Sequence, residues 1–149
     1  MSRIRTDGLT NKLHFFLMTT MPEEYLTTVF LLGIRPVPLP KKFAIITGWN
    51  PMDRPTSGAE NIREDEALRR TLELKARPYF RATGCSPDLS HREPGWGVEM
   101  PKEDAVTLGR RFGQRAIWWI ENGNLTLIAC EDGEEMPIGK FDLRVVGEG

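Results

Sequence analysis

The segment AIWWIENGNLTLIAC, residues 116–130, constrains the fold more strongly than any other part of the chain. Two apolar runs are joined by Asn122 and Gly123, a pair that favours the type I′ turn of a β-hairpin with a two-residue loop. The turn sets the register of the two strands, and so it predicts which residues share a face. The predicted core pairs are Ala116 with Ala129, Trp118 with Leu127, and Ile120 with Leu125.

The reverse face of this hairpin is also mostly apolar. It carries Ile117, Trp119, Thr126 and Ile128. A sheet with two apolar faces must be covered on both sides or meet a partner. The sequence leaves both alternatives open, and the second predicts self-association or protein binding through the surface around Trp119.

A capping box marks the start of the first long helix. Ser57 and Glu60 have the S-x-x-E spacing in which the side chain of each residue accepts from the backbone N–H of the other. The helix is predicted over residues 58–76. Within it Asn61 and Leu68 share a face, because seven residues are nearly two whole turns. We therefore expect Asn61 to point towards the interior.

The order of the elements predicts the fold class. A second long helix is expected from about Glu103, where acidic residues suit a first turn, to the C-cap Gly113. The resulting order contains the βαββαβ pattern of ferredoxin-like folds. We expect an α+β fold with a single mixed or antiparallel sheet, two main helices and a ferredoxin-like core with flanking strands. The other predicted strands lie at residues 27–32, 43–49, 79–85, 96–100 and, as a final strand, within 140–146.

Length and composition are those of an ordinary globular domain. The chain has 149 residues, a net charge of −1 and 40% hydrophobic residues, a length typical of one domain. The core pattern begins only near Tyr25, so we expect a dispensable N-terminal arm at residues 1–21 and a single α+β domain at residues 22–149. The apolar run LHFFLM in the arm favours the alternative that it docks on an open sheet face as a short helix.

The sequence shows no sign of a membrane segment or of an oxidising compartment. No apolar run approaches the ~20 residues that cross a bilayer, and no signal-peptide cleavage site follows the first apolar patch. Cys85 and Cys130 lack metal-site spacing, and we expect both to be reduced, with a disulfide between them as the alternative. We expect a cytoplasmic protein without a membrane partner, and the net charge gives no global attraction to nucleic acid.

Four motifs follow one another in the order FAIITGWNP, SGAEN, REPGW and RRFGQRAIWW. In this order and spacing they resemble the bacterial domain-of-unknown-function 3293 family, over about residues 25–130. The sequence departs from that pattern at Gly48, where alanine is expected, and at Gly95, where a small polar residue is expected. The resemblance implies one fold and one shared polar cluster. It implies no reaction, because the function of the family is unknown.

Polar residues in these motifs predict a ligand site where a buried strand leads through a loop to a helix N-terminus. Backbone donors and the helix dipole at such a junction favour an anion or a carbonyl group. Local structure offers another explanation for some of the residues, because Asn-Pro starts turns, Ser57 caps a helix and Asn61 can bond the loop backbone. The predicted ligand-binding residues are Thr47, Asn50, Ser57, Asn61, Glu93, Arg111 and Gln114.

The sequence predicts binding more clearly than it predicts a reaction. It has no catalytic triad, phosphate-binding loop or dinucleotide-binding glycine pattern. The spacing of Asp88, His91 and Glu93 is a weak metal signal, so we expect no metal and no cofactor. Arg111 is in the predicted set because arginine suits carboxylate and phosphate groups.

The expected function is therefore the binding of a polar anionic small molecule or nucleotide-like group, with catalysis left open. The alternative is a non-catalytic module for protein–protein interaction or self-association, for example a homodimer.

Overall fold

The computed structural model describes residues 23–148. The predictions about the N-terminal arm, residues 1–21, lie outside the described residues. The helices are α1 (Glu24–Thr27), α2 (Gly58–Leu74) and α3 (Lys102–Arg111), with 3-10 turns at Pro51–Asp53 and Phe141–Arg144. The strands are β1 (Val29–Leu32), β2 (Lys42–Thr47), β3 (Tyr79–Cys85), β4 (Arg92–Val98), β5 (Ala116–Glu121), β6 (Asn124–Ala129), β7 (Glu135–Lys140) and β8 (Val145–Glu148).

All eight strands of the described part form one sheet, in the order β7-β6-β5-β2-β4-β3-β1-β8. Neighbouring strands run antiparallel, except that β8 runs parallel to β1. The prediction of an α+β fold with a mixed sheet is confirmed, and α2 and α3 are the longest helices among the described residues.

The sheet curls strongly around one of its apolar faces, which we call the inner face. Phe30 of β1 and Trp118 of β5 meet edge to face with ring centroids 5.4 Å apart, although three strands lie between β1 and β5. In a flat sheet, four strand spacings would hold the two residues roughly 19 Å apart. Aromatic packing inside the curl therefore holds the two halves of the sheet together. Other buried residues of the inner face include Phe43, Ile45, Phe80, Ala82, Ala116, Leu127 and Phe141.

The opposite side of the sheet, the outer face, is covered by α2 and α3. Leu68 and Leu72 of α2 pack there, as do Ala105 and Leu108 of α3. Asn61 is 3% exposed and belongs to the buried residues of α2. The prediction that it points inward is confirmed.

The hairpin of β5 and β6 has the predicted register and turn. The φ angles of Asn122 (52°) and Gly123 (81°) are both positive, as a type I′ turn requires. Its reverse face packs beneath α3, where Gly109 lies so close that an added Cβ would be 2.9 Å from the sulfur of Cys130. Trp119 is only 4% exposed. The prediction of an interaction surface around Trp119 is therefore wrong, because the chain itself covers that face.

Strand β4 begins at Arg92, inside the segment predicted to be a loop, so Glu93 lies in a strand. The prediction placed Pro94 at the end of this loop, and a proline within a sheet lacks a backbone donor. Here Pro94 lies one residue beyond Gly95, the last β4 residue that pairs with β2. The carbonyl oxygen of Pro94 accepts a hydrogen bond from the Thr47 side chain. The nitrogen of Pro94 points to the same side of β4, towards a position beyond the end of β2. No ladder hydrogen bond is lost there.

The C-terminal part differs from the single strand predicted within residues 140–146. A 3-10 turn at Phe141–Arg144 separates β7 from β8. Phe141 is buried on the inner face against Phe30 and Phe43. This apolar residue therefore belongs to the core although it lies in a turn. Strand β8 then reaches the far edge of the sheet and pairs with β1, a long-range pairing that has no local signal.

Cys85 and Cys130 are both free and buried. The alternative of a disulfide between them is therefore wrong, and the prediction of free thiols is confirmed. Burial raises the pKa of the Cys130 thiol to about 12. Within residues 23–148, no helix is long and apolar enough to cross a membrane.

Candidate functional site

A cleft of about 560 Å³ opens at one end of the inner face. Its walls come from the C-terminal ends of β2 and β3 and the N-terminal ends of β4 and β5, which lie together because these neighbouring strands alternate in direction. The floor is apolar and the rim is polar. The floor includes Ile45, Ala82, Ala116 and Trp118, and the rim includes Glu24, Tyr25, Thr47, Asn50, Asp53, His91, Glu93 and Gln114.

Asn50 lies at the centre of the hydrogen bonds that shape the rim. Its backbone is left-handed, with φ of 46°, a conformation that asparagine adopts more readily than most residues. Its Nδ2 donates to Glu93 Oε2 at 2.9 Å. Its Oδ1 accepts from the backbone N–H of Thr56 and from Asn61 Nδ2, each at 3.0 Å. One side chain thus joins the loop after β2 to β4 and to α2.

Asn61 holds this loop from behind. Its Oδ1 accepts from the backbone N–H of Asn50 at 2.9 Å, and its Nδ2 donates to Asn50 Oδ1 and to the backbone oxygen of Thr56. A buried amide must find such partners, since an unsatisfied one costs about 1–3 kcal/mol. Asn61 is therefore a positioning residue behind the cleft and does not line it.

Glu93 is the carboxylate that the network presents to the cleft. Its Oε2 accepts from Asn50 and lies 3.2 Å from Nε2 of His91. Among residues 23–148, no hydrogen bond uses its other oxygen, Oε1. The side chain is therefore fixed through one oxygen and has an acceptor to spare at the cleft.

Thr47 and Gln114 complete the predicted residues that meet here. The Thr47 hydroxyl donates to the backbone oxygen of Pro94 at 2.7 Å and accepts from the N–H of Trp49 at 3.0 Å, so it is occupied in holding the strand end. Gln114 Nε2 donates to the backbone oxygens of Trp49 and Phe112. Its Oε1 takes part in no hydrogen bond within the described ranges and is available as an acceptor.

Four rim residues are absent from the predicted ligand-binding set: Glu24, Tyr25, Asp53 and His91. The Tyr25 hydroxyl donates to Asp53 Oδ1 at 2.9 Å, and Arg115 Nε lies 3.4 Å from Asp53 Oδ2. The ring of Tyr25 also packs edge to face against Trp118 at 5.9 Å. Burial, with the nearby charge of Asp53, raises the pKa of Tyr25 well above its usual range. No local signal marks this contact, because it depends on the curl of the sheet.

Two residues of the predicted set lie away from the cleft. Ser57 is exposed and caps α2, where its Oγ accepts from the backbone N–H of Glu60 at 3.2 Å. Arg111 ends α3 and lines a separate cleft. The structure thus brings together Thr47, Asn50, Glu93 and Gln114, with Asn61 directly behind them.

The weak metal pattern of Asp88, His91 and Glu93 is separated by the fold. Asp88 Oδ1 accepts from the hydroxyls of Ser86 and Ser90 and from the backbone N–H of Ser90. These bonds, from Ser90 first, lower the pKa of Asp88 to about 2. The part of the chain that the structure describes contains no group of three or more His, Cys, Asp or Glu side chains that could hold a metal ion.

The two glycines that depart from the expected pattern stand at close backbone approaches. A Cβ at Gly48 would lie 2.9 Å from the backbone oxygen of Glu64 in α2, and one at Gly95 would lie 2.8 Å from the backbone oxygen of Ile46. A side chain at either position would require the backbone to move. In this chain, glycine at position 95 permits the tight pairing of β4 beside the cleft.

Comparison with known proteins gives a resemblance and no function. The model of one family, described as a protein of unknown function (DUF3293), matches residues 46–117, which is just under half of the chain. This range contains the cleft residues Thr47, Asn50, Glu93 and Gln114. No curated protein and no solved structure matches the chain.

Proposed function

We propose that the cleft binds a small polar molecule, which Glu93 and Gln114 recognise. The observation that carries this proposal is the pair of unused acceptor oxygens, Glu93 Oε1 and Gln114 Oε1, on side chains whose other polar atoms are held by hydrogen bonds. An apolar floor with a few oriented polar groups is typical of small-molecule sites, and 560 Å³ lies within their usual size range.

The charges of the lining favour a ligand that donates hydrogen bonds. Carboxylates of Glu24, Asp53 and Glu93 line the cleft, and His91 is the one basic side chain among the described lining residues. Asp53 is paired with Arg115 behind the lining, so Glu24 and Glu93 set the charge that a ligand meets. A negative ligand would be repelled by this set. We therefore favour an amine, an amide or the N–H edge of a nucleobase-like ring over the anion that the sequence predicts.

Preorganisation supports a binding role for the rim. Asn61 is buried and Asn50 uses its side-chain oxygen twice, so the loop is held before any ligand arrives. A site held in this way loses little conformational entropy when a ligand binds. More of the interaction energy therefore contributes to the affinity.

A thermal-shift screen of a metabolite library tests the proposal. We expect hits among amines, amides and nucleobase-like compounds, and about tenfold weaker binding of those hits by Glu93→Gln, since a hydrogen bond to a charged group contributes about 1.5–3 kcal/mol. Glu99→Gln is the matched control, because Glu99 follows the other end of β4, roughly 20 Å away along the strand. Equal affinities of the two variants for every hit would overturn the proposal.

We also propose that β2, α2, β3, β4, α3 and β5 form a ferredoxin-like unit. In support of this, these strands stand in the order β5-β2-β4-β3 with antiparallel neighbours, and both helices pack on the outer face. The remaining strands would then be additions at the two edges. An experimental structure with a left-handed crossover from β2 through α2 to β3 would contradict this assignment.

A further inference from the structure

A second cleft, of about 330 Å³, lies on the outer side of the molecule between the end of α2 and α3. Its floor is formed by Met100 and Leu108, both of which are buried. Three basic residues, Lys75, Arg77 and Arg111, line it together. We call it the basic cleft.

The three cations of the basic cleft are not neutralised by the protein. Within residues 23–148, none of the side chains of Lys75, Arg77 and Arg111 forms an ion pair or a hydrogen bond, whereas Arg69, Arg81 and Lys102 are all paired with carboxylates. Asp104 is the one carboxylate in the described lining. Three positive charges and one negative charge leave a formal charge of +2.

Helix stability explains only part of this arrangement. Lys75 caps the C-terminus of α2 and Arg111 is the last residue of α3, positions at which the helix dipole favours a cation. Arg77 lies beyond the helix, after Ala76 has turned the chain with φ of 55°. The helix dipole explains a cation at the end of each helix separately. It does not explain why the ends of two helices bring their cations to one cavity, where like charges repel each other.

We propose that the basic cleft binds the phosphate group of a small hydroxylated phosphate ester. Arginine side chains match the oxygens of phosphate in a bidentate fork, and lysine adds a point charge. The hydroxyl of Thr107, which also lines the cleft, can donate to a phosphate oxygen. Asp104 accepts from a ligand hydroxyl beside the phosphate, so that the single carboxylate contributes to recognition.

The number of cations favours a compact ligand over a nucleic acid. Proteins that bind nucleic acid through its backbone commonly contact about 6–10 phosphates, whereas this cleft offers three cations on a chain of net charge −1. A volume of 330 Å³ is at the small end of the range for ligand sites. It accommodates one phosphate with a few attached atoms.

Isothermal titration of the full chain with glycerol 3-phosphate, inorganic phosphate and glycerol tests the proposal. We expect saturable binding of the two phosphates, tighter for the ester, and no binding of glycerol. Arg77→Gln and Arg111→Gln should each weaken phosphate binding by about tenfold, as expected for the loss of a charge-assisted contact. Both side chains lie at the surface of the cleft, and melting temperatures verify that the variants are folded.

Arg63→Gln is the matched control, since Arg63 is an exposed cation of α2 about 18 Å along the helix from Lys75. It should leave phosphate affinity unchanged. The proposal is overturned by any of three results: no saturable phosphate binding, equal weakening in Arg63→Gln, or binding of a single-stranded oligonucleotide at the same cations much more tightly than of the ester.

Discussion

Asn50 Nδ2 donates to Glu93 Oε2 across 43 positions of sequence, and this bond joins the loop after β2 to the start of strand β4. The shape of the inner-face cleft therefore depends on the pairing of Asn50 with Glu93. The replacement of Asn50 by a residue of the same size and different charge tests this pairing.

Asn50→Asp should destabilise the protein by about 1–3 kcal/mol at neutral pH. The substitution removes the donor to Glu93 and puts a second carboxylate beside it, leaving charged oxygens without a partner. Urea unfolding measures the change. Asn124→Asp, on an exposed strand end where the side chain faces Lys140, should be neutral or slightly stabilising, and a similar loss in both variants would contradict the role given to Asn50.

Tyr25 should lose its proton only well above the usual pH range for tyrosine. Because the pKa in the folded state is raised, the stability that this group contributes is fully present below its ordinary pKa near 10 and is lost as the pH rises above that value. The near-ultraviolet phenolate absorbance of the folded protein should show a late component. Tyr25→Phe should remove it and Tyr79→Phe should retain it, and a wild-type protein without this component would refute the assignment.

Ala76→Gly should stabilise the protein by about 1 kcal/mol. Ala76 has φ of 55° at the end of α2, a left-handed position at which glycine has no Cβ penalty. Thermal unfolding should show a rise of roughly 2–4 °C for a chain of this size. Ala67→Gly, within the same helix, should have the opposite effect because glycine is about 1 kcal/mol less favourable there. A fall in melting temperature with Ala76→Gly would contradict the backbone argument.

Deletion of residues 1–20 should lower the melting temperature by less than the ~2–4 °C that corresponds to 1 kcal/mol at this size. The reason is that the core pattern of the sequence begins only near Tyr25. Differential scanning calorimetry of the shortened and full chains makes the comparison. A larger fall would support the alternative, in which the LHFFLM run packs on the domain.

The elements that could be predicted from the sequence are those with a local cause. The Asn122 and Gly123 turn fixes a hairpin because both residues accept positive φ, and the Ser57 cap with the seven-residue spacing of Asn61 and Leu68 defines the start and buried side of α2. The same spacing placed Asn61 next to the loop that it holds. The periodicities of strands and helices are properties of a short segment, so they can be recognised without the rest of the chain.

The parts that could not be predicted depend on contacts between distant segments. Tyr25 reaches Asp53 only because the sheet curls until Phe30 meets Trp118. Arg111 and Gln114 are three residues apart, yet they serve different clefts, because the chain reverses at Gly113 with φ of 73°. Arg111 and Gln114 are close in sequence, whereas the path of the backbone separates their side chains in space.

The pairing of β8 with β1 has a consequence for aggregation. Phe30, Leu31 and Leu32 of β1 are buried, and without β8 their strand would present open N–H and C=O groups along an apolar edge, a template for intermolecular β-pairing. The opposite edge, β7, carries Glu135, Pro137 and Lys140, residues that discourage such pairing. The four residues Val145–Glu148 thus cover the apolar edge of β1, and we expect their removal to promote aggregation through strand pairing between molecules.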